Sequence, residues 1–223
     1  MSKPRLLDLF CGAGGAARGY ADAGFEVVGV DINPQPNYPF RFVQRDALDY
    51  LDEIVFSGSR AFDVIHASPP CQAFTAYKRR PGHVAPVGNL IPAVRASLRY
   101  VANFGVSYVI ENVGGAPLES PSMLCGSMFG LDVRRHRYFE TSFPMLTPMC
   151  AHEKQTPRFP PATNRTNLRS TVEVGVWRIP LEVQRRAMGI DWMDLRELSQ
   201  AIPPAYTRWI GGHLMRHLEA RAA

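Results

Sequence analysis

Short apolar runs alternating with helical periods constrain this chain more than any other feature. "RLLDLF" (residues 5–10) reads as a buried strand, "GAARGYADAG" (15–24) as a helix closed by Gly24, and "FEVVGVD" (25–31) as a second strand. "RFVQRD" (41–46) and "FDVIHAS" (62–68) supply a third and a fourth. "LIPAVRASLRYVANFG" (90–105) has apolar residues at helical spacing and stops at Gly105, after which "VSYVIEN" (106–112) returns to strand character. Such a rhythm predicts an α/β fold, a mostly parallel, doubly wound sheet whose ligands bind beyond the carboxyl ends of the strands. "RRHRYFETSF" (134–143) is expected to add an antiparallel closing hairpin.

Residues 1–143 are read as the main domain. From 144 to 180 the texture changes to Pro, Thr, Asn and basic residues without sustained periodicity, which reads as a small irregular insert. Residues 181–223 are helical again, with Pro203 and Pro204 placed at a helix start. With 223 residues, 46% of them hydrophobic, the chain can bury a substantial core. Its formal charge of +5 leans toward a polyanionic partner. No run approaches the ~18 to 20 apolar residues of a membrane span, and the start "MSKPRLLDLF" lacks a signal-peptide pattern, so a cytoplasmic protein away from membranes is expected. Four cysteines without CxxC spacing fit a reducing compartment.

The segments after the strands carry the chemistry. "DLFCGAGG" has Gly12, Gly14 and Gly15, which allow a tight turn and a close approach to a ligand at a helix N-terminus. Asp31 ends the second strand, seventeen positions beyond Gly14, where a carboxylate can accept from both ribose hydroxyls of a nucleoside. Asp46, at the end of the third, is placed to accept from an adenine amino group. Together these predict an adenosine-containing ligand. NAD and S-adenosyl-L-methionine both remain open, although GxGG in place of the pyrophosphate-binding GxGxxG counts mildly against a dinucleotide. After the fourth strand, Pro69 and Pro70 fix φ and remove two backbone donors, which holds the Cys71 thiol at the mouth of the cleft. Glu111, ending the fifth, would face Cys71 across that cleft.

"DLFCGAGG", "SPPCQ", "ENV", "RRHRYFE" and "AIPPAYTRWIG" occur in the order and approximate spacing of the cytosine C5-specific DNA methyltransferases. The chain resembles that family from Arg5 to Leu214 apart from the insert, and its brevity is most similar to the compact enzymes of phages and prophages. The resemblance implies a Rossmann-like methyltransferase fold, S-adenosyl-L-methionine as methyl donor and double-stranded DNA as partner. It implies Cys71 as nucleophile, Glu111 as the group holding cytosine N3, Asn112 orienting the base edge, and Arg135 and Arg137 near the base, one on cytosine O2 and another on Glu111 or backbone. Cofactor contacts would come from Asp8, Phe10, Gly12, Gly14, Gly15, Asp31, Ile32, Asp46, Ala47, Pro69, Gln200 and Ala201. Gln72, Lys78, Arg79 and Arg80 would meet DNA after the nucleophile. In the insert, read as a target-recognition region, Arg158, Asn164, Arg165, Asn167 and Arg169 are chemically able to reach base edges or phosphates.

Two positions depart from the family pattern. Val133 stands where the arginine motif usually begins with glutamine, and Ser199-Gln200 replace the usual Gly-Asn. Cys125, His136, Cys150 and His152 form no CxxC or HxxxH pair, so no metal site is expected. His66 is expected to be a hydrogen-bonded core residue; Phe129, Trp177, Trp192 and Trp209 are core candidates, with Trp177 alternatively facing DNA. Competing readings are the same chemistry on RNA cytosine, a dinucleotide oxidoreductase, and a DNA-binding protein without catalysis. A monomer is expected.

Overall fold

Five parallel strands and an antiparallel pair make one seven-stranded sheet. The structure is a computed structural model that describes residues 3–58, 60–74, 88–156 and 169–222. In chain order the elements are β1 (Arg5–Leu9), α1 (Gly15–Asp22), β2 (Glu26–Asp31), β3 (Arg41–Gln44), α2 (Ala47–Ser57), β4 (Val64–Ala67), α3 (Ile91–Ala102), β5 (Ser107–Asn112), β6 (Ser122–Leu124) and β7 (Arg137–Thr141). They continue with the two-residue strands β8 (Gln155–Thr156) and β9 (Arg169–Ser170), then α4 (Leu181–Met188), α5 (Leu195–Gln200) and α6 (Pro204–Ala222). The main sheet has the order β3-β2-β1-β4-β5-β7-β6, with β7 antiparallel to both neighbours. The stretch 134–143, expected to form a hairpin, supplies only β7; its antiparallel partner β6 lies upstream at Ser122–Leu124, and β7 is the one that enters the sheet beside β5.

Burial on both faces explains why β1, β2, β4 and β5 read as near-continuous apolar runs. On one face Leu6, Val27, Val64 and Val109 pack under α1 and α6; on the other Leu7, Leu9, Val28, Val30, Ile65 and Ile110 pack under α2 and α3. Helix α2 was not anticipated from the sequence pattern. Asp46 caps it, accepting from Leu48 N (2.8 Å) and Asp49 N (3.2 Å), and Gly58 ends it in the left-handed region. Helix α6 begins at Pro204, as its double proline predicts, and lies against α1 so closely that a Cβ on Gly19 would stand 2.1 Å from the Pro204 carbonyl oxygen. Thr207 Oγ1 donates to Ala16 O (2.8 Å) across that contact.

Residues 171–180 do not stand apart from the rest. Val172 and Ile179 join Ala13, Val133, Met188, Met193 and Leu198 in a third apolar cluster that ties this stretch to α4, α5 and the glycine turn. Among the described residues, no helix is long and apolar enough to cross a membrane.

Candidate active site

Strand ends β4 and β5 build the reactive part of the site. Asn112 is 1% exposed, and its side chain is consumed by the protein: Nδ2 donates to Pro69 O (2.9 Å) and Oδ1 accepts from Val113 N (2.9 Å). Asn112, expected to orient a base edge, here ties the Pro69-Pro70-Cys71 loop to the end of β5. The loop then turns, with Phe74 N donating to Cys71 O (2.9 Å), and leaves Cys71 and the following Gln72 half-buried. Cys71 is thus fixed from both sides.

Glu111 is 6% exposed, and Arg137 Nε lies 3.2 Å from its Oε1. Burial holds the Glu111 carboxyl above the usual carboxylate range, against the pull of Arg137, the Ser68 hydroxyl and Arg135. The Cys71 thiol is raised too, by burial first and then by Glu111, with Arg137 and Arg135 drawing it back down. Glu111, Cys71, Arg135 and Arg137 therefore form one electrostatic group, the kind of arrangement that perturbs acids at functional sites. The two arginines divide the work unequally. Arg135 Nε donates to Ala201 O (2.9 Å) and its Nη2 to Ser199 O (2.6 Å), so it caps the end of α5, and burial lowers its pKa to about 9. Arg135 is the arginine that takes backbone, and Arg137 the one that meets Glu111.

Beneath Glu111 runs a polar line of which sequence reading marked His66 as a hydrogen-bonded core residue and Asp8 as a cofactor contact. Asp8 pairs with Gly29 on one side and His66 on the other, which puts Asp8 and His66 on the same face of the sheet. Tyr20 Oη lies 2.9 Å from His66 Nδ1, His66 Nε2 lies 2.8 Å from Ser68 Oγ, and Ser68 hydrogen-bonds Glu111. Burial pushes His66 down to about 3, so the ring is neutral and carries one proton. With Glu111 ionised, every donor is satisfied if Tyr20 donates to Nδ1, Nε2–H to Ser68, and Ser68 to Glu111. The alternation of β4 carried a signal for this, because His66 and Ser68 share a face two residues apart.

The glycine turn separates into two kinds of position. Gly12 has φ +49, and nothing lies within 4 Å of where its Cβ would be; its N–H donates to Asp31 Oδ2 (3.1 Å). Gly14 and Gly15 are buried by protein: added Cβ atoms would meet Pro39 Cδ at 2.8 Å and Ile202 O at 2.5 Å respectively. Protein therefore closes the Cβ side of both glycines, and that packing shapes the turn. Asp8 and Ala47, also expected at the cofactor, are buried, 0% and 3% exposed. Burial, then the charge of Asp31, raises the Asp8 carboxyl well above its ordinary value.

The other positions expected at the cofactor lie at the ends of β1, β2 and β3 and at the end of α5. Asp31 Oδ1 accepts from Asn33 N (2.9 Å), which fixes the carboxylate at the strand end, and Ile32 beside it is 60% exposed, an apolar face suited to a purine. Asp46 serves as a helix cap at the next strand end. Phe10 adopts φ 58 at the turn's start. Gln200 is exposed, and the Ala201 Cβ stands 3.3 Å from the position a Gly15 Cβ would take, so this segment does return to the glycine turn. Trp192 Nε1 secures that return by donating to Ala13 O (2.8 Å).

Lys78, Arg79, Arg80, Arg158, Asn164, Arg165 and Asn167 lie outside the described residues, and of Arg169 only the backbone is described. Trp177, at 92% exposure, is not a core residue, and Trp209 is 38% exposed, with Nε1 donating to Leu146 O (3.0 Å). Cys125, His136, Cys150 and His152, which linear spacing kept apart, converge with their ligating atoms all within 4.8 Å of one another.

Residues 4–117 match the profile of the C-5 cytosine-specific DNA methylases. Over 151 residues, 62% of the chain, the sequence is 35% identical to the type II methyltransferase M.XorII of Xanthomonas oryzae pv. oryzae, covering 31% of that protein. It is 31% identical over 88 residues, 34% of the chain, to the type II methyltransferase M.AgeI of Thalassovita gelatinovora, covering 20% of it. The chain thus spans about a third or less of these two curated relatives. In fold it is similar to the Entamoeba histolytica methyltransferase EhMeth, with TM-score 0.63 at 12% identity over 98% of this chain and 99% of that one. It is also similar to an E. coli prophage-encoded protein described as a DNA modification methyltransferase, with TM-score 0.60 at 16% identity over 97% and 99%. These last two likenesses speak for the Rossmann-like methyltransferase architecture, and no finding supports a dinucleotide oxidoreductase. Because the matched profile spans half of the chain and carries both the glycine turn and the Cys71 and Glu111 strand ends, the chain belongs to the family of C-5 cytosine-specific DNA methylases.

Proposed function

We propose that the protein transfers a methyl group from S-adenosyl-L-methionine to C5 of a cytosine flipped out of a specific short sequence in duplex DNA. The observation that carries this reading is the grouping of Cys71 with a buried Glu111 whose carboxyl is raised by burial and held by Arg137. Cytosine C5 is too weak a nucleophile to take a methyl group unaided. Addition of the Cys71 thiolate to C6 makes the ring an enamine, and a protonated Glu111 at N3 accommodates the electron density this brings. S-adenosyl-L-methionine supplies an electrophilic methyl and leaves as S-adenosyl-L-homocysteine; Gly12, Asp31 and Ile32 are the residues whose open backbone, fixed carboxylate and exposed apolar face would hold its adenosine. Loss of the C5 proton to a base then lets the Cys71 sulfur depart with its bonding electrons. Extruding the base costs a few kcal/mol, to be met by contacts from Gln72, the basic run Lys78 to Arg80 and the 144–180 region, the proposed target-recognition unit.

Duplex DNA carrying 5-fluorocytosine tests the chemistry, since fluorine at C5 cannot be removed and the adduct persists. The native protein is expected to form a denaturation-resistant adduct in the presence of S-adenosyl-L-methionine, and Cys71→Ser none. No adduct from native protein on a pool of duplex sequences, or adducts on RNA alone, would overturn the reading.

A further inference from the structure

We propose that Cys125, His136, Cys150 and His152 bind one zinc ion, a structural site that clamps the arginine-bearing strand β7 to the chain leading into the 144–180 region. The four residues come from three stretches: Cys125 follows β6, His136 immediately precedes β7, and Cys150 and His152 lie beyond it, His152 opening a short 3-10 turn. Their ligating atoms all lie within 4.8 Å of one another. Cys125 Sγ stands 3.1 Å from His152 Nε2, the Nε2 atoms of His136 and His152 are 3.2 Å apart, and Cys150 Sγ is 3.8 Å from His136 Nε2.

These separations are those of the edges of a small tetrahedron. Zn–N near 2.0 to 2.1 Å and Zn–S near 2.3 Å place nitrogens about 3.3 Å apart, a nitrogen and a sulfur about 3.6 Å apart, and the centres of two imidazoles about 5 Å apart. The rings of His136 and His152 have centroids 5.1 Å apart. Two imidazoles turning the same nitrogen toward each other and toward two thiols is poorly explained by hydrogen bonding, because each neutral ring offers only one N–H. Two thiolates and two neutral imidazoles also balance the charge of a divalent zinc.

Cys125 Sγ has an acceptor and a donor beside it: Arg134 O, 3.0 Å away, accepts from the metal-free thiol, a contact that opens when the thiolate binds metal. Ser127 Oγ lies 3.1 Å from Cys125 Sγ and accepts from Ala151 N (3.1 Å), so its hydroxyl proton is directed to the sulfur and its oxygen ties in the Cys150–His152 stretch. His136 sits between Arg135 and Arg137, the arginines of the candidate active site, and Tyr206 Oη donates to Arg135 O (2.8 Å) from the other side. A metal here would fix the backbone from which Arg137 reaches Glu111. Linear spacing conceals such a site, since it forms only when β7 turns back along β6.

Metal analysis of the full-length protein, grown with added zinc and desalted, decides the matter. Close to one zinc per chain is expected, released in step with titration of thiols by a mercurial. Cys150→Ser and His152→Gln should each retain less than a tenth of that, while Cys71→Ser keeps it all. Metal that persists in both site variants, or a zinc-free native protein that also takes up none on titration, overturns the proposal, as does a Cys125–Cys150 disulfide in place of metal. Should the variants fail to fold, native protein stripped with chelator and titrated with cobalt(II) still answers: intense tetrahedral absorption with thiolate charge transfer is expected, and a pale octahedral spectrum is the contrary result.

Discussion

Arg137 Nε lies 3.2 Å from Glu111 Oε1, a pair whose side chains are 16% and 8% exposed. The guanidinium is the chief force opposing burial at that carboxyl, and it draws the Cys71 thiol toward thiolate as well. One side chain therefore opposes burial at both Glu111 and Cys71.

Replacing Arg137 should uncouple these. In Arg137→Ala both Glu111 and Cys71 lose their nearest opposing charge, so the acid is protonated over a wider range while the thiol ionises less. The expected loss in kcat is about 10²- to 10³-fold, the scale of one charged donor removed from an active site. Arg137→Lys should recover part of it. Single-turnover methylation across pH checks this; an unchanged rate would show that Arg137 serves neither group.

Asn112→Ala leaves the Pro69 carbonyl and the Val113 N–H, both in partly buried surroundings, without their partner. A stability cost of about 1 to 3 kcal/mol is expected from the unpaired groups. Because the loop carries Cys71, kcat and the yield of 5-fluorocytosine adduct should fall while KM for DNA stays near its native value. A rise in KM alone would assign Asn112 to base contact instead.

Gly12 and Gly15 should separate cofactor binding from folding. An alanine Cβ at Gly15 meets the Ile202 carbonyl oxygen at 2.5 Å, and backbone there cannot step aside cheaply. A loss of about 1 to 3 kcal/mol is expected from overpacking. At Gly12 there is open space, so alanine costs only the left-handed backbone, about 1 to 2 kcal/mol, while obstructing a ligand. Calorimetric binding of S-adenosyl-L-homocysteine, read beside thermal melts, tests the contrast. Equal affinity losses in the two variants, once corrected for the folded fraction, would erase it.

Much of this was legible before any coordinates. Strand and helix periods gave the parallel sheet, and the residues after each strand marked Gly12, Asp31, Cys71 and Glu111 as the places to look. Side-chain partners were not legible, because they depend on register between strands far apart in sequence. Asn112 and Arg135 sit inside recognisable motifs, yet their hydrogen bonds run to Pro69, Ser199 and Ala201, and only the fold brings those carbonyls near. Helix α2 escaped because Asp46 was read as a ligand at a strand end; its side chain is occupied as the cap of that helix. The Cys125 and His152 cluster escaped for the same reason as the polar line under Glu111: neighbours across a sheet have no fixed spacing along the chain.

Asp8 should make stability depend on pH. Its folded pKa is raised well above the unfolded value, by burial first and then by Asp31. The folded state therefore binds the extra proton, and this contribution is full below about pH 3.9 and is lost as pH rises toward the folded pKa, by up to ~1.4 kcal/mol per unit. Asp8→Asn removes that dependence, so the melting temperature of native protein minus that of the variant should fall from pH 4 upward. A constant difference over that range would mean that Asp8 titrates normally.

Ser68 offers the finest adjustment of the acid. Its hydroxyl bonds to Glu111 and favours the ionised form, while His66 and Tyr20 hold it from behind. In Ser68→Ala the bond is lost and burial acts with less opposition, so the Glu111 pKa should rise further. If protonated Glu111 is what supports cytosine N3, the alkaline limb of the kcat profile moves to higher pH, with little change at its acid-side plateau. His66→Gln should shift the limb in the same direction but less, since Ser68 remains able to turn its proton to Glu111. His66, neutral above about pH 3, should add no limb of its own near neutrality. An alkaline limb that stays in place in Ser68→Ala, or moves to lower pH, would show that the active form of Glu111 is not the protonated one.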